Sequence, residues 1–148
     1  MEYRDRRSIR LKGFDYSSAG GYFITMVSFR RECLFGKIVE GERQCNSLGR
    51  IAEQCWQAIP EHFPNAGLGE YVVMPNHIHG IIFMYENVRW GTIYRAPVDR
   101  APTIYHAPTL QFERFGKPTS GSLPTIVRTY KAAVTRRAGR ELKSANIW

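Results

Sequence analysis

The stretch VVMPNHIHGIIFM, from Val72 to Met84, constrains the fold more tightly than any other part of the chain. It reads as two apolar, β-branched runs with a break between them. Proline has no N–H for a sheet ladder and is confined to strand ends, edges and bulges. The break is therefore placed at Pro75-Asn76, with a strand starting near His77. Residues two apart in a strand share a face. His77, His79 and Ile81 accordingly point to one side, and Ile78, Gly80 and Ile82 to the other. The flanking Val72, Val73, Ile78, Ile81, Ile82 and Phe83 predict a central strand, so two imidazoles here need a reason.

The rest of the chain supplies the partners for such a strand. Tyr22–Phe29 (YFITMVSF) alternates and is rich in aromatic and β-branched residues, which predicts a strand after the Gly20-Gly21 break. CLFGKIVEG, beginning at Cys33, predicts a short irregular strand or hairpin. The segment from Glu42 to Phe63 has helical period. Cys45, Leu48, Ala52, Cys55 and Ile59 recur at threes and fours as one apolar face. Pro60 disturbs its end and Pro64 closes it. A second helix follows Ser122, with Leu123, Val127, Tyr130 and Val134 as its buried stripe and Arg128, Lys131 and Thr135 beside them. Between the last strand and this helix, residues 87–121 lose periodicity and read as an insertion loop or flap. The order strand, short strand, helix, strand, strand, loop, helix predicts one α+β domain over residues 1–148. Its architecture is a ferredoxin-like (RRM-like) two-layer sandwich, a mostly antiparallel sheet with helices on one face.

Composition narrows the function. A hydrophobic fraction of 43% over 148 residues is enough for a packed core and excludes a wholly disordered chain. No apolar run approaches the roughly 18 residues of a membrane helix, and the charged start MEYRDRRSIRLKG does not read as a secretion signal. Three cysteines without a CxxC pair argue against a disulfide framework or zinc ribbon, and point to the cytoplasm. The net charge of +8 favours a polyanionic partner. The charge is clustered, at Arg4, Arg6, Arg7, Arg10 and Lys12 in an N-terminal arm and at Arg128, Lys131, Arg136, Arg137, Arg140 and Lys143 in the last helix.

Two neutral imidazoles on one strand face are able to hold one divalent cation between them, with at least one further ligand from elsewhere. The competing reading is a pair of exposed or hydrogen-bonded histidines. Asn76, next to them, either orients a ligand or finishes the turn after Pro75.

The run YVVMPNHIHGII resembles the signature of the REP-associated tyrosine transposases and related insertion-sequence transposases, members of the His-hydrophobic-His group of single-strand DNA nucleases. GYFITMVSFRRECLFGKI is similar to that family's first strand and turn, LPTIVRTYKAAVTRRA to its basic helix, and the final NIW to the start of its Trp-Gln-Arg run. The resemblance covers most of the chain. It implies binding of single-stranded, hairpin-forming (REP-like) DNA by a nucleoid-associated monomer or homodimer. It implies His77 and His79 as ligands of Mg²⁺ or Mn²⁺, which would polarise a scissile phosphate. A tyrosine hydroxyl would attack that phosphate, leaving a 5′-phosphotyrosine and a free 3′-OH, and the reverse step would rejoin the strand.

This sequence departs from the pattern at its end. The family's nucleophilic tyrosine and the amide four residues after it lie beyond the Trp-Gln-Arg run, whereas this sequence stops at Trp148. The expectation is a C-terminally truncated domain without strand cleavage of its own, the alternative being a non-catalytic nucleic-acid-binding module that keeps the fold. Tyr130 is the substitute nucleophile to weigh, but it falls within an apolar stripe, and Val134, four positions on, cannot ligate a metal. The basic residues Arg4, Arg6, Arg7, Arg10, Lys12, Arg128, Lys131 and Arg136 are the candidate phosphate contacts, with Tyr3 and Phe14 as candidate stacking residues.

Overall fold

Alternating aromatic and β-branched residues build the first strand, β1 (Gly20–Val27), in a computed structural model that describes residues 14–86, 119–144 and 146–148. The arm carrying Arg4, Arg6, Arg7, Arg10 and Lys12, and loop residues 87–118, lie outside the described residues. After β1 come β2 (Gly36–Val39), β3 (Glu42–Cys45), α1 (Ser47–Gln57), the single turn α2 (Ile59–His62), β4 (Ala66–Met74), β5 (His77–Met84) and α3 (Leu123–Leu142). The main sheet is antiparallel with strand order β1-β5-β4, so β5, the histidine strand, is central. Helices pack on one face of this sheet in a two-layer α+β sandwich of the ferredoxin-like type. Among the described residues no helix is long and apolar enough to cross a membrane.

The two faces follow from strand period. On β5, Ile78, Gly80, Ile82 and Met84 are buried, while His77, His79, Ile81 and Phe83 are only partly covered. On β1, Met26 is buried, and Phe23, Thr25 and Val27 on the opposite face are exposed. The helix layer lies over the Ile78–Gly80–Ile82 side. Trp56 of α1 is fully buried with its indole laid directly on Gly80, where a Cβ would collide with the ring. Tyr130 of α3 meets Trp56 edge-on at 5.5 Å, and its hydroxyl donates to the Ala52 carbonyl oxygen at 3.2 Å. Aromatic burial of this kind dominates core energetics.

Three sequence expectations are corrected. The helical period extended from Glu42, but Glu42–Cys45 form β3, paired with β2 in a separate hairpin. Glu40 and Gly41 both have positive φ, which is the two-residue hairpin geometry that matches strand twist. Asn46 then caps α1, its side-chain oxygen accepting from the Gly49 N–H at 2.9 Å, so the helix cannot start earlier. Its buried face is accordingly Leu48, Gly49, Ile51, Ala52 and Trp56 rather than a stripe through Cys45 and Cys55. On α3, Ile126 is buried and Val127 only partly so. The two positions are neighbours at the edge of the same stripe.

Candidate metal and nucleic-acid site on the open sheet face

The pairing register sets what surrounds each histidine. Thr25, His79 and Val72 form one cross-strand row, and Val27, His77 and Met74 the next. Directly opposed residues share a face, so both imidazoles stand on the side away from the helices. The rings are 4.5 Å apart between centroids.

Each ring has its Nδ1 engaged by the protein. His77 Nδ1 lies 2.7 Å from Asn76 Oδ1. The Asn76 amide nitrogen donates to the Arg31 carbonyl oxygen at 3.4 Å, which orients the amide so that its oxygen faces the ring. An amide oxygen only accepts, so His77 carries its proton on Nδ1 and leaves Nε2 as a lone pair. His79 Nδ1 lies 2.9 Å from Thr25 Oγ1. When that hydroxyl accepts, the Nε2 of His79 is a lone pair as well. Burial, followed by the neighbouring His79, holds the His77 pKa below the ordinary histidine value, which favours the neutral, ligating form. This is the arrangement in which one ring nitrogen is fixed by a protein partner and the other is offered to a metal. Among the described residues no third His, Cys, Asp or Glu joins the pair. Among the described residues the pair thus offers two imidazole nitrogens and no further ligand of these types.

The turn before His77 is held by the segment that follows β1. Ser28, 4% exposed, donates its backbone N–H to the Asn76 carbonyl oxygen at 3.0 Å, and its hydroxyl lies 2.9 Å from the same oxygen and 2.6 Å from that of Glu32. Phe35 N–H donates to the Pro75 carbonyl oxygen at 2.9 Å. Between these ties, Arg30 and Arg31 adopt left-handed backbone with φ of 52° and 60°. Such geometry costs of order 1–2 kcal/mol at each non-glycine residue and persists only where surrounding structure enforces it. Both arginines are exposed, Arg30 lies over the Phe29 ring at 5.1 Å, and neither has a carboxylate partner among the described residues. The Asn76–Arg31 bond ties this basic knuckle to the His77 end of the sheet. In the sequence this pair is overshadowed by the longer basic clusters. Two adjacent arginines just after a predicted strand were the available signal.

The α3 basic residues are placed elsewhere. The helix belongs to the layer on the far side of the sheet from His77 and His79, so Arg128 and Arg136, though exposed, are not brought to the pair. Lys131 is half-buried, with its ammonium 4.9 Å from the centre of the Trp148 ring, and burial lowers its pKa. Tyr130 is 3% exposed in the core on that same far side, and burial raises its pKa. Phe14 packs edge-on against Tyr16 at 4.9 Å.

A protein of Haemophilus influenzae is 41% identical to this chain over 143 residues, covering 97% of the chain and 73% of the relative. The chain belongs to the same family as that protein. The relative is itself described only as an uncharacterized protein, so it brings no activity with it. No family model matches the chain, and no solved structure matches it.

Proposed function

We propose that the chain is a transposase-type DNA-binding domain for single-stranded, hairpin-forming DNA, working in the bacterial cytoplasm at the nucleoid, with His77 and His79 holding Mg²⁺ or Mn²⁺ against a DNA phosphate. The observation that carries this reading is the pair of imidazoles on the open face of the central strand, each with Nδ1 engaged by the protein. A bound divalent ion would supply Lewis-acid polarisation of a phosphate oxygen. His77 and His79 contribute the nitrogen donors, Asn76 and Thr25 hold the rings, and Arg30 and Arg31 offer bidentate guanidinium donors for backbone phosphates. The net charge of +8 gives the domain a general attraction for polyanions. The resemblance to the REP-associated tyrosine transposases supplies the reaction class, nicking and rejoining through a phosphotyrosine. No described tyrosine is assigned as the nucleophile.

The test is a calorimetric Mn²⁺ titration of the chain and its His77→Ala and His79→Ala variants, with and without a single-stranded hairpin oligonucleotide. Mn²⁺ binding that weakens at least tenfold in each variant supports the site. Equal Mn²⁺ affinity in all three proteins, with DNA binding intact, would leave the non-catalytic nucleic-acid-binding module as the correct reading.

A further inference from the structure

Phe23 lies in the middle of β1, on the same open face as the histidines, and is 70% exposed. Its ring stacks on that of His79 with centroids 5.3 Å apart and planes 24° from parallel. One side of the phenyl ring is thus occupied by His79. Its high exposure means that much of the ring surface remains uncovered. Exposing an aromatic side chain in mid-strand forgoes the burial that Trp56, Phe35 and Tyr130 obtain in the core. The same face carries Thr25 and Val27 on β1 and Ile81 on β5, and the Arg30-Arg31 knuckle follows directly after the strand. A largely exposed, flat ring beside two imidazoles, and next to guanidinium groups with no carboxylate partner among the described residues, has the chemistry of a nucleobase platform. Every base has a π-face, and basic groups track the backbone that joins the bases.

We infer that Phe23 is the stacking platform for one nucleobase of a bound single strand, positioning the adjoining phosphate at His77 and His79. This rests on the single-stranded DNA reading above and deepens it, because it names the residue that sets the position of the strand. Phe23 makes no hydrogen bond to base edges, so the platform accepts any base and acts on register rather than sequence.

The probe is an oligothymidylate carrying one 2-aminopurine, moved through successive positions, whose fluorescence is quenched on stacking. Wild-type chain should quench the probe on binding. Phe23→Leu, conservative in size and remote from the core, should lose that quench and bind roughly five- to a hundredfold more weakly, with an unchanged dependence on salt. Phe23→Trp should restore both. Matching circular dichroism and thermal melts verify that the variants fold. If wild-type chain binds the oligonucleotide and Phe23→Leu binds and quenches equally well, the platform is wrong while the DNA reading stands. If wild-type chain binds no single strand at low salt, the DNA reading itself falls. A third outcome also overturns the platform: a wild-type dimer by light scattering that Phe23→Leu converts to a monomer without loss of DNA affinity would assign this face to a second copy of the chain.

Discussion

The behaviour of the histidine pair turns on small groups beside it. Asn76 joins the turn after Pro75 and also accepts from the His77 ring. Asn76→Ala should weaken Mn²⁺ binding about 10–100-fold, the usual cost of losing a group that orients a ligand. Its backbone carbonyl still accepts from Ser28, so the melting temperature should change little by comparison. Arg30 tests the opposite relation between stability and function. Arg30→Gly removes the left-handed strain, partly offset by greater freedom of the unfolded chain, and should raise stability by about 0.5–1 kcal/mol in urea unfolding. The same variant should bind single-stranded DNA more weakly. A substitution that left stability and binding both unchanged would remove the functional argument from this knuckle.

At the scale of elements, β5 and α3 interlock through Gly80, Trp56 and Tyr130. Gly80→Ala pushes a methyl group into the Trp56 indole, and overpacking of this kind costs about 1–3 kcal/mol. Chemical denaturation should show it as a lowered midpoint with an unchanged slope. Tyr130 gives this layer a pH signature. Burial raises its phenol pKa in the folded chain, so between the ordinary value near 10 and the raised one the unfolded chain binds fewer protons. Stability from this group is fully present below about pH 10 and falls as pH rises further, with a slope approaching roughly 1.4 kcal/mol per pH unit. Tyr130→Phe should lose about 1 kcal/mol at neutral pH with its hydrogen bond to Ala52. Above pH 10 it should decline less steeply than wild type in parallel urea melts.

At the scale of the whole molecule, the charge and chemistry of the described residues fall on two sides of the sheet. Arg128 and Arg136 ride on the helix layer, whereas the histidines, Phe23 and Thr25 stand on the open face. On the proposed function, a strand of DNA held at His77 and His79 would draw on Arg30 and Arg31 more directly than on α3. Each phosphate that a variant no longer neutralises in a single-strand complex lowers the steepness of log K against log salt by about 0.7. Replacing Arg30 and Arg31 together with alanine should therefore reduce that slope by about 1.4, measured by fluorescence anisotropy over a salt series. Replacing Arg128 and Arg136 should reduce it less. Equal changes for the two pairs would show that bound DNA wraps the domain without preference for the open face.

The sequence by itself determined what depends on local period and on backbone chemistry. The alternation of β5, the break at Pro75-Asn76, the shared face of His77 and His79, and the core placement of Tyr130 and Val134 were all legible, because a strand repeats every two residues and a helix every 3.6. The start of α1 was less legible. Cys45 falls in step with the apolar helical stripe of Leu48 and Ala52, and only pairing with β2 shows that Glu42–Cys45 extend as a strand. What the tertiary structure decided was non-local: the register that sets Thr25 against His79, the stacking of Phe23 on that ring, the tie from Asn76 to Arg31, and the side of the sheet that the basic helix occupies. These depend on which strand pairs with which, at what offset, and which face the helices cover. Such choices bring together residues as distant in sequence as Thr25 and His79, which no local repeat relates.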